Sequence, residues 1–154
     1  MPKLTPELIN EVVERQTQLG REFNALPDWE ARYKKLIEIG KHIPEMPEAF
    51  KTETFKVKGC QSQVWLHAAI SPEGRMHLEA DSDALIVKGL VAVLLQVYSN
   101  TLTEDILTAP TTFLKDLGFE GGLSPSRANG LYAMLKQILY YATAFQAIAK
   151  MRQT

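Results

Sequence analysis

The sequence predicts an α+β fold, a small three-stranded antiparallel sheet packed against helices. Two observations point there. Between residues 52 and 81 lie a loosely alternating run (Thr52 to Val57), an apolar run that opens with Val64-Trp65-Leu66, and a cleanly alternating run (Met76 to Asp81), joined by short links. On either side, apolar residues recur at the three- and four-residue spacing of helices. Consecutive strands with short links favour an antiparallel meander, and the helices then cover one face of it.

Taken in order, Thr5 can cap a first helix with Pro6 at its first position. Leu8, Ile9, Val12, Val13 and Leu19 form its stripe, and Gly20 ends or interrupts it. Pro27 breaks the pattern. Asp28 can cap a second helix with Trp29, Tyr33, Leu36 and Ile37 on one face, ending near Gly40 and Pro44. Thr52 to Val57 reads as a first strand, Val64 to Ile70 as a second, and Met76 to Asp81 as a third with one wet face. Pro72-Glu73-Gly74-Arg75 has turn chemistry. Asp81 or Ser82 can cap the next helix, Asp83 to about Val97, which is apolar nearly all round and so expected to be central. Thr103 can cap a short helix through Leu107, and Thr112 to Leu117 forms another, stopped by Gly118. Ser124-Pro125 starts the last long helix as cap plus first-turn proline. Its core stripe is Leu131, Met134, Leu135, Ile138, Ala142, Phe145 and Ile148.

The 154 residues fit one domain, 1–154, long enough for a real core. The chain is 45% hydrophobic and 23% charged, as ordinary soluble proteins are. A net charge of −1 provides no basic field for nucleic acid and no polybasic membrane anchor. Glu7, Glu11 and Glu14 interrupt the first twenty residues, unlike a secretory signal. The most apolar run, Ala84 to Tyr98, carries Lys88 and Gln96 and is shorter than a bilayer span. A single cysteine forms no internal disulfide, which fits a reducing cytoplasm.

That cysteine sits in Lys58-Gly59-Cys60-Gln61-Ser62-Gln63-Val64-Trp65. Gly59 permits a turn that presents the thiol, at the mouth of a strand. A lone cysteine is often only a small buried hydrophobe, but Lys58, Gly59, Gln61 and Ser62 do not look like a core. Gln61 and Gln63 can orient the loop by hydrogen bonds to backbone or simply face solvent. Lys58 is a solvated charge or a help to the thiolate. Trp65 is expected in the core.

The chemistry open to one thiol is limited. A disulfide reductase wants a second, resolving cysteine. An iron–sulfur scaffold or a structural zinc site wants several soft ligands, where this chain has one Cys and three scattered His, so no metal site is expected. A cysteine hydrolase needs a histidine beside the thiol. His67 lies along the predicted strand, His77 on the next and His42 near a helix end, and each reads as a surface residue. An adaptor in which Cys60 is only structural is a further alternative. Thiol exchange with a donor persulfide needs only one cysteine on each side.

The run Gly-Cys-Gln-Ser-Gln-Val-Trp resembles the signature of the SufE family, the SufE/CsdE-type sulfur acceptors of cysteine desulfurases. The resemblance extends from Trp29 to about Leu139. It includes Asp28-Trp29-Glu30 with Tyr33, Gly40 and Pro44, then Asp81-Ser82-Asp83-Ala84 with Ile86-Val87-Lys88-Gly89-Leu90, then Leu123-Ser124-Pro125-Ser126-Arg127 and Gly130-Leu131. It implies the fold shared with IscU-type scaffolds and a persulfide on Cys60, with Gly59, Gln61, Ser62 and Gln63 shaping the loop. It implies a cysteine desulfurase partner of the SufS or CsdA kind, whose turnover rises as sulfur is removed. It implies onward transfer to an iron–sulfur scaffold complex of the SufBCD kind. The pyridoxal phosphate belongs to the desulfurase, and this chain carries no cofactor. Asp81, Ser82 and Asp83 are most simply a helix cap, but the resemblance makes them candidates for partner binding. Arg127, in the first turn of the last helix, is a solvated arginine or an anchor that pairs with the partner or with an acidic residue near the Cys60 loop. The protein is expected to be a monomer or a weak homodimer.

Overall fold

The computed structural model describes residues 9–119 and 121–152. Helix α1 (Glu11–Asn24) is capped by Asn10, whose side chain accepts a hydrogen bond from the Val13 amide. The same side chain donates to the Asp105 carbonyl at 3.0 Å, so the cap also ties α1 to a later helix. The expected cap at Thr5 and Pro6, with Leu8, lies outside the described residues; the helix that carries Val12 and Leu19 begins at Glu11 and continues through Gly20. Helix α2 (Trp29–Gly40) starts as expected, with Asp28 accepting from the Ala31 amide at 2.9 Å.

The sheet has three antiparallel strands, but one of them is not where the pattern placed it. β1 (Val64–Ile70) pairs with β2 (Arg75–Ser82), and β2 pairs with β3 (Thr101–Leu102). Residues 52–57 are not a strand. They hold a 3₁₀ turn, Glu53–Phe55, which follows another at Glu48–Phe50 and is itself followed by a single bridge from Lys56 to Trp65. The reason is side-chain packing: Phe50 stacks on His67 at 3.7 Å between ring centres, and Phe55 meets the same ring edge-on at 5.0 Å. Turning the segment lets both phenylalanines cover the outer face of the sheet. β3 is two residues long, too short for any periodicity to reveal it.

Alternation sorts the two faces. Val64, Leu66, Leu78, Ala80 and Met76 are buried on the inner face, against α3 (Leu85–Tyr98) and α6 (Pro125–Arg152). Trp65, expected in the core, stands on the outer face, part-buried, with the Lys51 ammonium 5.9 Å from its ring centre. Asp81 lies beside it in β2 and pairs with Lys51 at 3.1 Å and Lys88 at 3.3 Å. Burial works against its charge, but the bonds from Lys51, the Ser82 amide and Lys88 outweigh that and hold its pKa below the usual carboxylate range. Asp81 and Ser82 are therefore strand residues, not the cap of α3. Ala84 occupies the cap position with no side-chain bond to the helix.

α3 is central, as its all-round apolar character requires, except at Leu85, which is 59% exposed, and at Gln96, which is also exposed. Thr103 does not cap α4 (Thr103–Thr108) but forms its first residue. α5 (Phe113–Asp116) is one turn, stopped by Gly118 at φ +75°. Ser124 caps α6 as expected, its hydroxyl accepting from the Arg127 amide at 3.3 Å. The α6 stripe is buried through Ala142; Phe145 is half-buried and Ile148 is exposed.

α2 crosses α3 backbone to backbone. A Cβ on Gly89 would overlap the carbonyl of Leu36, and one on Gly40 would sit 2.9 Å from the Gly89 nitrogen. The contact admits no side chain on the Gly89 side. Gly89→Ala is accordingly expected to destabilise the fold by about 3 kcal/mol, the high end for overpacking a closed contact, read as a lower midpoint of urea unfolding with unchanged slope.

Candidate functional site

The 58–63 loop leaves and re-enters the sheet through a closed base. The Val57 amide donates to the Val64 carbonyl at 2.8 Å. Beyond the Val64–Ser82 pair, the ladder is continued by Gln63 and Asp83. The Gln63 amide donates to Asp83 Oδ1 at 3.0 Å, and the Asp83 amide donates to the Gln63 carbonyl at 3.2 Å. Within this base the loop is free to turn sharply. Gly59 does so at φ +94°, a left-handed conformation that favours glycine.

The turn lays the loop on the start of α6. A Cβ on Gly59 would meet the Ala133 methyl group at 3.4 Å, and the Cys60 thiol points to the Gly130 carbonyl at 3.6 Å. Cys60 is half-buried and packs against the hydrophobic core. It lies in the wall of an open cavity of about 340 Å³ whose other lining residues come from the loop (Gln61, Ser62), α3 (Val87) and α6 with its cap (Ser124, Ser126, Arg127, Gly130, Met134). Burial pushes the Cys60 thiol up from the ordinary thiol value, so the resting group is the thiol and not the thiolate.

The residues singled out from sequence fall into three groups. Cys60, Gln61, Ser62 and Arg127 meet at the cavity. Arg127 is half-buried there, and its guanidinium has no hydrogen bond or ion pair with any described residue. Gly59, Gln63 and Asp83 hold the loop. Neither Gln61 nor Gln63 orients it through a side-chain bond among the described residues; Gln63 acts through its backbone. Asp81, Ser82 and Lys58 are elsewhere. Asp81 belongs to the outer lysine pair, the Ser82 hydroxyl accepts from the Ala84 amide at 3.3 Å, and Lys58 is exposed and does not line the cavity.

No histidine lines this cavity. His67 is not a surface residue but a half-buried ring under Phe50, while His42 pairs with Glu38 and His77 is exposed. Among the described residues, no three His, Cys, Asp or Glu side chains are grouped to hold a metal, and no helix is long and apolar enough to cross a membrane. Sequence reasoning missed Val87, Gly130 and Met134 as cavity wall. The signal available was Gly130 itself, a costly residue inside a well-patterned helix.

The comparisons agree with this architecture. The family model for the SufE Fe-S metabolism associated domain matches residues 17–142. An uncharacterized SufE-like protein of Rhizobium etli is 46% identical over 126 residues, covering 79% of this chain and 84% of that protein. The sulfur acceptor protein CsdE of Escherichia coli is 37% identical over 122 residues, covering 79% and 83%. The solution structure of a hypothetical protein from Thermus thermophilus superposes with a TM-score of 0.72 at 26% identity, covering 84% of this chain and 94% of that one. The fold is thus that of a helix-covered three-stranded sheet already seen in solution. The chain belongs to the SufE family.

The loop geometry makes a prediction about reactivity. Iodoacetamide alkylation of Cys60 should be slow at neutral pH and rise with a midpoint above that of an unfolded control, because only the thiolate reacts. Asp83→Ala removes the acceptor for the Gln63 amide. It should speed alkylation about fivefold at pH 7, the change that one lost hydrogen bond makes in a loop-opening equilibrium.

Proposed function

We propose that this protein is a sulfur acceptor, in which Cys60 takes sulfane sulfur from the persulfide of a cysteine desulfurase and passes it to an iron–sulfur assembly scaffold. The observation that carries the reading is the placement of Cys60. It is the sole thiol of the chain, at the wall of a cavity of about 340 Å³ that no histidine, aspartate or glutamate lines. A cysteine hydrolase would need an activating histidine there.

The chemistry is one thiol exchange. The Cys60 thiolate attacks the outer sulfur of the donor persulfide R–S–SH. The donor S–S bond breaks, its thiolate leaves with the electron pair, and Cys60 becomes Cys60–S–SH. No oxidant or reductant is consumed. Onward transfer repeats the step with Cys60 as the donor. Pyridoxal phosphate is needed only to generate the first persulfide, and we assign it to the desulfurase.

Sheltering and reactivity oppose one another here. Burial suppresses the thiolate and so protects Cys60 from oxidation while the protein is alone. Transfer then requires that the docked partner move the loop outward, with Gly59 absorbing the change in backbone angles. Arg127, which lines the cavity and whose guanidinium bonds to no described residue, is proposed to favour the persulfide anion. Leu85, exposed at the start of α3, is a ready apolar contact for the partner.

The test is mass spectrometry after incubation with a cysteine desulfurase and cysteine. The Cys60 peptide should gain the mass of one sulfur atom. Cys60→Ser should keep the fold, gain nothing and fail to stimulate the desulfurase. Stimulation by Cys60→Ser at low reductant would mean that covalent transfer is not how the protein acts.

A further inference from the structure

Helix α2 contributes no residue to the Cys60 cavity, yet both walls of that cavity are attached to it. One attachment is the crossing at Gly40 and Gly89, which fixes α3 and hence Val87 and the Asp83 corner. The other lies at the opposite end of α2. The Tyr33 hydroxyl donates to the Gly122 carbonyl, and Gly122 lies so close to Trp29 that a Cβ there would fall inside the indole ring. Trp29 is itself held in place. It packs on Tyr33 with 5.4 Å between ring centres and on Phe119 with 5.8 Å, and the Arg32 guanidinium lies 5.5 Å from the centre of its ring.

Gly122 is two residues before Ser124, the cap of α6. The backbone between them is short and already bonded: the Gly122 and Leu123 amides both donate to the Phe119 carbonyl, at 3.3 and 3.4 Å. A clamp on Gly122 therefore fixes where the Ser124–Arg127 turn begins. That turn is the cavity wall facing Cys60, and Gly130, one turn further along α6, is the contact of its sulfur.

We infer that Trp29 and Tyr33 are positioning residues for Cys60, clamping Gly122 so that the first turns of α6 lie against the thiol. Neither lines the cavity. They act through the backbone of 122–124, and their effect is the width of the gap between the Cys60 loop and α6. The importance of that gap rests on the acceptor reading above; the clamp itself is a property of the free protein.

The experiment uses Tyr33→Phe, which keeps the ring and deletes only the hydroxyl. A second variant, Trp29→Phe, keeps an aromatic but shrinks the surface on which Gly122 rests. Phe113→Leu, a buried substitution on α5 away from the cavity lining, is the control for general destabilisation. The readouts are the iodoacetamide alkylation rate of Cys60, its pH midpoint, and the thermal midpoint of each variant.

The clamp predicts that Tyr33→Phe alkylates about fivefold faster than the parent protein at pH 7, as one lost hydrogen bond allows, with the pH midpoint moving down toward the ordinary thiol value. Trp29→Phe should move both readouts the same way, and Phe113→Leu should lower the thermal midpoint without moving the pH midpoint. Parental rate and midpoint in both clamp variants would overturn the inference. So would an equal shift in Phe113→Leu, which would reduce the effect to stability alone. Alkylation needs no partner, so its failure leaves the acceptor reading standing. Conversely, failure of Cys60 to take up sulfur would remove that reading and leave the clamp intact.

Discussion

The rest of this structure depends on the contact of α2 and α3 at Gly40 and Gly89, where two helices meet with no side chain between them on the Gly89 side. Helices usually pack with axes about 8–10 Å apart, separated by their side chains. Here a glycine lets one backbone rest on the carbonyl of Leu36 in the other. The consequence reaches beyond stability. α3 is the buried centre of the protein, and the strand-to-helix corner at its start holds the Cys60 loop through Asp83. Fixing α3 against α2 fixes the base of the loop, and the aromatic end of α2 fixes the helix on which the loop lies. The Cys60 loop is a turn borne on a frame, a common arrangement for sites that need precise placement and room to move.

Much of the frame was legible in the sequence because it obeys local rules. Asp28 caps α2 and Ser124 caps α6 where the spacing placed them, and Val64–Ile70 is a strand as its β-branched and aromatic start implied. The misplacements have physical causes. Residues 52–57 look like a strand to a period-two pattern, but Phe50 and Phe55 gain more by folding over His67 than by joining the ladder. Thr101–Leu102 pairs with β2 through tertiary placement after a left-handed Asn100, with φ 59°, which no pattern of apolar residues encodes. The α6 stripe overran because periodicity records which side of a helix is apolar, not how far its neighbours extend.

The site was legible at its centre and not at its edges. Cys60 stood out as the only thiol, in a setting unlike a core. The roles of its neighbours depend on three-dimensional contact. Asp81 and Asp83 are two residues apart on a strand and its exit, yet the first joins two lysines on the outer face and the second holds the loop. Gln63, whose side chain the sequence offers to orient the loop, acts instead through its amide. Val87 and Met134 read as ordinary core residues, and only the approach of the loop to α6 makes them cavity wall.

The central claim is that the fold shelters whatever sulfur Cys60 carries. The most direct measurement loads Cys60 with one sulfur from inorganic polysulfide, removes the excess, and follows the loss of that sulfur to added dithiothreitol by mass spectrometry. The reference is a short peptide spanning residues 56–66, loaded in the same way. The account predicts that the folded protein loses its sulfur at least about tenfold more slowly than the peptide, the factor expected if the cavity must open before a thiol can reach it. Equal rates would contradict it, because a sulfur in the cavity would then be as open to solvent as one on an unfolded chain.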